Sequence, residues 1–344
     1  MHGGTLADGE LRVATLFLSI SPSLRFTLNP DSAQTCSAGA VEPGDVLATD
    51  GVGVVVEARG CTGFAVGDLV SNRPKLLVWP WRDVVRFREA DLVGGADRWM
   101  PCSPVAVTPE LALDALGIAG VTAHLGMTFL PTPPGGETLV VSAASGACGS
   151  MAGQIGRACG YTRVVGITST EAKARFIIDE FGFDAAVVHA GKSEAELTAA
   201  VLEACHGEVD CYYDNVGGDI SAAVAQALAP AAKCGVCGTM SQMGEGTTYQ
   251  RWVELAKARG ASVHYFRYTS IMYAEGGEIT DARRELKAMV EDGRLRVHRT
   301  YFESIASAPA CFCELFSGGK LGKALVRIGA PRQNMALGSE PRTS

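Results

Sequence analysis

The sequence lacks any run of 18 consecutive apolar residues and therefore predicts no membrane-spanning helix. Its first residues, Met1 to Arg12, lack the apolar run behind a basic start that marks a secretory leader, so we expect a cytoplasmic protein. Positive charge is in the minority, because 30 Lys and Arg stand against 37 Asp and Glu for a net charge of -7. Such a chain repels nucleic acids and anionic membranes overall, so an anionic ligand needs a local site.

Metal-binding and hydrolase patterns are missing as well. The six histidines lie far apart and no Gly-His-Glu element occurs, so we expect no structural or catalytic zinc. No Gly-x-Ser-x-Gly elbow supports hydrolysis. The 11 cysteines follow no disulfide-framework spacing, which favours a reducing compartment. Cys234 and Cys237 are three apart in an apolar strand, where such side chains diverge, so the pattern predicts two separate buried thiols.

What is present predicts two domains. A chain of 344 residues, 47% of them hydrophobic, is long and apolar enough to form two cores. The first hundred residues have the alternation and turns of a β-rich domain. The predicted strands there are Arg12 to Ile20, Gly51 to Glu57, Asp68 to Ser71 and Leu76 to Phe87. A helix is predicted from Pro109 to Phe129, and the Pro- and Gly-rich stretch 131–136 ends it.

After that stretch, apolar β runs alternate with helical windows, which is typical of βαβ crossovers on a buried parallel sheet. The predicted strands are Leu139 to Val141, Val164 to Ile167, Ala185 to Val188, Val209 to Tyr213, Ala232 to Cys237 and Ser262 to Tyr265. The helices between them are expected to begin near Ser150, Glu171, Ser193, Asp219 and Arg251. Two more helices, Ala282 to Glu291 and Ser307 to Phe316, precede a last strand, Ala324 to Ile328. The fold class is therefore α/β, with a Rossmann-type doubly wound parallel sheet.

A small-residue loop follows the first strand of this series. Ala144-Ser145-Gly146-Ala147-Cys148-Gly149 fits the dinucleotide pattern G-x-G-x-x-G with Ala in the first place. At a strand end that opens a helix, small residues let the backbone and its unpaired N–H groups approach a pyrophosphate. The alternative interpretation is close packing of helix and strand through small residues.

The end of the second strand indicates which dinucleotide binds. An NAD site presents Asp or Glu there, whereas this chain has Thr168-Ser169-Thr170 followed by Lys173. Hydroxyls and an ammonium suit the extra phosphate of NADP. The alternative is that Lys173 is an ordinary solvated helix lysine.

Several sequence segments together are typical of one superfamily, and the resemblance covers nearly the whole chain, from Arg12 to Ile328. They are Gly120-Val121-Thr122-Ala123, the segment from Val141 to Gln154, Asp214-Asn215-Val216-Gly217-Gly218 and Gly322-Lys323. The sequence resembles the zinc-independent medium-chain dehydrogenase/reductase superfamily, in its prostaglandin reductase and alkenal double-bond reductase branch. Trp79-Pro80-Trp81 and Cys148 make the 15-oxoprostaglandin 13-reductase type the best match.

The resemblance implies a domain division and a set of NADPH contacts. Residues 1–112 with 318–344 would form a β-rich, GroES-like catalytic domain, and 113–317 the NADPH-binding domain. The nucleotide side would be contacted by Thr122, Gly146, Ala147, Cys148, Gly149, Ser169 and Lys173, with Lys173 on the 2′-phosphate. The nicotinamide side would be contacted by Asn215, Cys237, Gly238, Thr239, Met240, Ser241, Phe266, Arg267 and Tyr268.

The chain departs from the family at five places, one of which is Ser21-Pro22-Ser23-Leu24-Arg25 in place of Asp-Pro-Tyr-Met-Arg. His189 replaces a phosphate-contacting Tyr, and Lys320 replaces an Asn ahead of Gly-Lys; both are expected to contact the cofactor. Met243 replaces a Tyr near the reacting centre, and Leu77-Val78 replaces an aromatic pair on the substrate side.

The activity implied is NADPH-dependent reduction of a carbon-carbon double bond conjugated to a carbonyl. Hydride would go to the β-carbon, and the resulting enolate needs a hydrogen-bond donor. With Met243 at the Tyr position, the expected donors are the cofactor ribose hydroxyl, Tyr265, Tyr268 or a backbone N–H, and water supplies the proton. For the two tyrosines the alternative is strand packing.

Two other functions remain open at this point: a quinone oxidoreductase with the same cofactor site, and a non-catalytic NADPH-binding protein. The partners expected are a small-molecule enone and, from the family's edge-to-edge pairing, a second copy of the chain contacting the stretch from Ser262 to Tyr268.

Overall fold

The computed structural model describes residues 4–28, 41–72, 79–94, 108–130, 137–238, 248–266 and 277–329. Within these ranges the strands form two sheets, one of eight strands and one of six. The predicted α/β class, with a Rossmann-type sheet and a strand-rich N-terminal part, is confirmed.

The eight-stranded sheet is built mostly from the first hundred residues. Its strands are β1 (Glu10–Ser19), β2 (Ala48–Arg59), β3 (Leu69–Asn72), β4 (Trp79–Pro80), β5 (Val84–Arg88), β6 (Leu92–Gly94), β13 (Arg299–Glu303) and β14 (Lys323–Arg327). The order is β13-β14-β1-β2-β3-β6, while β4 pairs with β2 and β5 with β1. Burial in β1 alternates from Glu10 to Thr15 and is continuous from Thr15 to Ser19, as expected for a strand whose second half is covered on both faces.

Trp79 anchors this sheet. Its buried indole Nε1 donates to Thr15 Oγ1 at 3.0 Å. A Cβ on Gly51 or Gly53 of β2 would lie 2.2 Å or 2.9 Å from a Trp79 ring atom. Two glycines on β2 therefore make room for the indole.

The structure differs from the predicted strands of this sheet in three ways, the first of which is the unpredicted short strand β6. The run Leu76 to Phe87 is split into β4 and β5, because the chain bends over residues 81–83 and the two pieces pair with different strands. Strand β13 was not predicted, and its mixed burial offers no clean alternation. It pairs in parallel with β14, so a strand within 113–317 joins the N-terminal sheet. The predicted domain division stays a prediction.

The six-stranded sheet is parallel throughout. Its strands are β7 (Thr138–Val141), β8 (Arg163–Thr168), β9 (Ala185–Val188), β10 (Val209–Asp214), β11 (Leu228–Val236) and β12 (Ser262–Tyr265). They lie in the order β12-β11-β10-β7-β8-β9, so the direction of winding reverses between β7 and β10. All four residues of β7 are buried, as expected for a strand covered on both faces.

Nine α-helices lie in the described ranges. They are α1 (Leu24–Leu28), α2 (Ile118–Thr128), α3 (Ala147–Ala158), α4 (Glu171–Phe181), α5 (Glu194–Cys205), α6 (Gly218–Ala227), α7 (Thr248–Ala258), α8 (Gly277–Glu291) and α9 (Ala308–Ser317). Ser193 caps α5 in a reciprocal capping box with Glu196, as a start near Ser193 predicts. Gly318 ends α9 in the left-handed region.

Several predicted helix bounds need correction, and among them α7 begins at Thr248 rather than near Arg251 and α8 at Gly277 rather than at Ala282. The stretch Pro109 to Phe129 is a 3-10 turn, Pro109–Ala112, followed by α2 only from Ile118. Gly117 is extended there, and a Cβ on it would lie 2.7 Å from the Ala112 carbonyl oxygen. Helix α3 starts at Ala147 rather than near Ser150, because the small-residue loop turns directly into the helix. No helix among the described residues is both long and apolar enough to cross a membrane.

Candidate active site at the switch point of the parallel sheet

The small-residue loop connects β7 to α3. Gly146 is extended at the N-cap of α3, without a side-chain cap, so the first N–H groups of the helix are available to an anion. A Cβ on Gly149 would lie 2.4 Å from the Ala143 carbonyl oxygen, and only glycine permits this approach. Farther along α3, a Cβ on Gly153 would lie 2.1 Å from Phe183 Cζ, so the helix lies close to the sheet.

The turn before β14 packs against this loop. The Gly322 N–H donates to the Ser145 carbonyl at 2.8 Å, and Gly322 forms an isolated parallel bridge with Gly146. Gln154 of α3 pairs with both backbone groups of Arg296, at 2.8 Å and 2.9 Å. The turn that carries Lys320 is thereby fixed beside the loop.

A cluster of three basic side chains lies at the end of β8. Ser169 and Lys173 sit at the β8–α4 connection, His189 follows β9, and Lys320 precedes β14. A Cβ on Gly318 would lie 3.6 Å from Ser169 Oγ and 3.9 Å from Lys173 Nζ, so the turn after α9 lies next to both side chains.

The electrostatics of this basic cluster favour an anion. Burial, with the charges of Lys323 and Lys173 as smaller causes, lowers the pKa of Lys320 to about 8. Burial lowers the pKa of Lys173, and burial followed by the charge of Lys173 lowers the pKa of His189. The cations repel one another, and a phosphate dianion among them would relieve that repulsion. The residues present therefore fit the 2′-phosphate of NADPH.

The end of β10 forms the other side of the switch point. Asn215 donates its N–H to Ser142 Oγ and its side-chain amide to the Ser142 carbonyl, both at 2.8 Å, which ties the ends of β7 and β10 together. Asp214 Oδ1 accepts from Tyr212 Oη and from the N–H groups of Val216 and Gly217. Sequence reasoning missed this role of Asp214, because only the folded loop shows which donors surround its carboxylate.

Tyr213 lies beneath the centre of the crevice. Its hydroxyl donates to the Thr122 carbonyl at 3.1 Å and lies 3.4 Å from Cys148 Sγ. Cys148 Sγ in turn lies 3.7 Å from Cys237 Sγ. The structure thus brings Thr122, Cys148 and Cys237 together. It also corrects the prediction of two buried thiols at Cys234 and Cys237, since only Cys234 is buried and Cys237 turns towards Cys148 just beyond the end of β11.

The remaining predicted contacts divide into three groups. Phe266 is buried and stacks on Phe129 with ring centroids 5.8 Å apart, so only its backbone is free to face a cofactor. Tyr265 lies on β12, the edge strand, and is 47% exposed. Outside the described residues lie Leu77, Val78, Thr239, Met240, Ser241, Met243, Arg267 and Tyr268.

A small cleft opens near the start of α2, one helical turn before Thr122. It is lined by Asp50, Ser71, Asn72, Ala112, Leu113, Gly117, Ile118 and Arg283. Asn72 Nδ2 donates to Asp50 Oδ1 at 2.9 Å. Burial raises the pKa of Asp50, although the Asn72 hydrogen bond and the charge of Lys323 oppose the shift. Sequence reasoning missed Asp50, because a single acid in a β strand carries no motif.

Lys323 lies between this cleft and the glycine loop. Its charge interacts with Asp50 and Asp114 and also with Cys148. Asp114 is itself buried and paired with Arg299 Nε at 2.5 Å. Among the residues that the structure describes, no cluster of His, Cys, Asp and Glu has a composition suited to a metal ion.

Such a nucleotide crevice at the switch point of a parallel sheet, beside a β-rich domain, defines a dinucleotide-dependent oxidoreductase. The family model described as zinc-binding dehydrogenase matches residues 147–275, and that described as N-terminal domain of oxidoreductase matches residues 2–92. The chain belongs to the medium-chain dehydrogenase/reductase superfamily, in its zinc-independent branch, as the sequence predicted.

Named relatives cover almost the whole chain. Prostaglandin reductase 1 of Rattus norvegicus is 30% identical over 328 residues, which are 94% of this chain and 90% of that protein. The NADPH-dependent curcumin reductase of Escherichia coli strain K12 is 29% identical over 328 residues, 94% of this chain and 89% of the relative. The crystal structure of CurA in complex with NADPH from Vibrio vulnificus superposes with a TM-score of 0.80 at 25% identity, covering 96% of this chain and 94% of that one.

Proposed function

We propose that this protein is an NADPH-dependent reductase that reduces the carbon-carbon double bond of α,β-unsaturated ketones or aldehydes. The observation that carries the proposal is the cluster formed by Lys173, His189 and Lys320 beside a glycine loop, at a strand end without a carboxylate. This arrangement matches NADPH rather than NADH. The similarity to reductases of prostaglandins and of curcumin supports a small-molecule enone as the acceptor.

When bound, NADPH supplies the hydride. The protein residues bind and orient: the N–H groups at the start of α3 hold the pyrophosphate, and Ser169, Lys173, His189 and Lys320 hold the 2′-phosphate. Asn215, Cys237 and Gly238 border the crevice next to Thr122 and line the proposed nicotinamide side.

We propose that the small cleft at the start of α2, which has room for about one water molecule, carries a proton path to the acceptor rather than the acceptor itself. The position of the cleft one helical turn from Thr122, and the electrostatic interaction of Lys323 with both Asp50 and Cys148, support this assignment. Asp50 is the described carboxyl that lines it, and burial raises its pKa. We assign Asp50 as the group that delivers the proton for the α-carbon, directly or through water.

The donor that stabilises the enolate stays a prediction. Tyr265 is exposed on an edge strand, which favours a packing or interface role over contact with the acceptor. Met243 and Tyr268 remain proposed neighbours of the reacting centre on sequence grounds, as do Leu77 and Val78 on the substrate side. Among the described strands β12 lies at the edge of the parallel sheet, which supports the proposed homodimer.

The test is substrate-dependent oxidation of NADPH. We expect NADPH absorbance to fall when an α,β-unsaturated ketone such as a 15-oxoprostaglandin-like enone is added, with the saturated ketone as the product. Deuteride from labelled NADPH should appear at the β-carbon. Turnover with a benzoquinone but not with enones or enals would replace this proposal by quinone reduction, and NADPH binding without turnover of any acceptor would indicate a binding protein.

A further inference from the structure

Two cysteines from different crossovers meet in the cofactor crevice. Cys148 is the second residue of α3, and Cys237 is the first residue after β11. Their sulfur atoms lie 3.7 Å apart, and both side chains are partly exposed. Cys237 is held in position because its N–H donates to the Asp214 carbonyl at 2.7 Å. A disulfide requires the two sulfur atoms to approach further, to about 2.05 Å.

The surroundings of Cys148 favour its thiolate. Its thiol lies in the first turn of α3, where the partial positive charge of a helix start stabilises an anion. Hydrogen bonding with Cys237, and to a smaller degree with Tyr213, lowers the pKa of Cys148, and the charge of Lys323 acts in the same direction. The same hydrogen bond raises the pKa of Cys237, so the proton of the pair resides there.

The other described cysteines differ from this pair. Cys205, Cys211, Cys234 and Cys311 are buried, and burial raises the pKa of each. Cys159 is exposed and its pKa is also raised by partial burial of the sulfur. Cys148 thus combines a lowered pKa with a second thiol in contact, and this thiol, Cys237, can react with the oxidised form of Cys148.

We propose that Cys148 and Cys237 form a redox-active pair that a hydroperoxide converts into a disulfide across the cofactor crevice. The Cys148 thiolate attacks the O–O bond, an S–O bond forms, and the alcohol or water leaves with a proton. Cys237 then attacks the sulfenic sulfur; the S–S bond forms, the S–O bond breaks and water leaves with the Cys237 proton. Two thiols and one hydroperoxide thus yield one disulfide, one alcohol and one water.

The disulfide would oppose cofactor binding. It would tie the end of β11 to the first turn of α3, directly beside Gly146 and Gly149, and would fix two side chains that border the proposed nicotinamide side. Oxidised protein is therefore expected to bind NADPH at least tenfold more weakly, and bound cofactor is expected to shield the pair. This consequence rests on the proposed cofactor position but not on the identity of the acceptor.

The experiment uses the full chain and hydrogen peroxide as the probe. After oxidation, free thiols are alkylated and tryptic peptides are analysed by mass spectrometry. We expect a Cys148–Cys237 cross-linked peptide that dithiothreitol removes, and a rate of formation at least tenfold lower with saturating NADP⁺. The Cys159→Ser variant is the matched control and should form the same link at the same rate, whereas Cys148→Ser should not form it.

Several outcomes would overturn the proposal. If sulfinic acid accumulates on Cys148 while Cys237 can still be alkylated, Cys237 does not react with the sulfenic acid of Cys148. A link between other cysteines would show that a different pair reacts first. NADPH affinity is measured by the fluorescence of the bound cofactor before oxidation, after oxidation and after reduction by dithiothreitol. An unchanged affinity would refute the inference that the disulfide weakens NADPH binding. Absence of enone turnover would leave all these readouts intact and would count against the proposed function alone.

Discussion

Replacement of Lys320 by methionine should make the cofactor-free protein more stable while weakening NADPH binding. Methionine keeps most of the length of the side chain and removes its charge. Burial, and then the charges of Lys323 and Lys173, lowers the pKa of Lys320 from its ordinary value of 10.5 to about 8. At about 1.36 kcal/mol per pH unit, this difference corresponds to a cost of about 3 kcal/mol for holding the charge in the folded protein. The figure is an upper bound, because the lysine keeps partial contact with water.

The stability difference between the Lys320→Met variant and the wild type should decrease as the pH rises. Below pH 8, Lys320 is protonated in both the folded and the unfolded state, and the protein carries the full cost of the buried charge. Between pH 8 and pH 10.5, the folded protein releases this proton while the unfolded chain retains it, so the cost declines as pH rises. The Lys320→Met variant should therefore exceed the wild type in unfolding free energy by up to about 3 kcal/mol near pH 7 and by about 1.4 kcal/mol near pH 9.5.

Urea denaturation of both proteins at the two pH values measures this difference. Lys257→Met, at an exposed position of α7, is the control and should change the unfolding free energy by less than about 0.5 kcal/mol. Compared with the wild type, Lys320→Met should also raise the Kd for NADPH by about one to two decades, because one charge-assisted contact is lost. The electrostatic reasoning would be refuted if the variant were less stable than the wild type at neutral pH. It would also be refuted if the difference in unfolding free energy between the two proteins were the same at both pH values.

The remaining predictions concern the cofactor, the metal and the reacting centre. Lys173→Ala should raise the Kd for NADPH by about one to two decades and spare NADH, whereas an equal loss for both cofactors would mean that Lys173 merely supports the fold. Treatment with a chelator should leave enone reduction unchanged, and loss of activity together with stoichiometric zinc would contradict this. Asp50→Asn should lower kcat at least tenfold and abolish the decline in kcat on the alkaline side of the wild-type profile; an unchanged profile would remove Asp50 from proton delivery. Met243→Tyr should raise kcat with a prostaglandin-like enone by up to about tenfold, provided that the melting temperature shows no overpacking.

Much of the parallel sheet could be predicted from the sequence, because a strand buried on both faces is a continuous apolar run. Strands β7 to β10 and β12 match their predicted ranges within about two residues, and the order around the sheet follows from the βαβ pattern. Strand β13 could not be predicted, since its burial alternates weakly and it contains no continuous apolar run.

In the candidate site, too, some residues could be predicted from the sequence and others could not. The glycine loop and Lys173 have local signatures, because a phosphate site requires small residues at fixed spacing and a cation at a helix start. Asp50 and the contact between Cys148 and Cys237 have none, since each depends on residues brought together by strand order rather than by sequence spacing. The Cys234–Cys237 pattern was misleading for this reason, because the sulfur that Cys237 meets lies 89 positions away.

The short turn before β14 connects the two sides of the site. Lys320 lies with Lys173 on the nucleotide side, where cations face one another and an anion is favoured. Lys323, three residues later, lies with Asp50 and Asp114, where opposite charges partly compensate its burial. Because Gly322 bridges to Gly146 between them, a shift of this turn would move the glycine loop, the phosphate cluster and the charge next to Asp50 together. Residues 320–323 therefore connect the proposed 2′-phosphate site to the surroundings of Asp50.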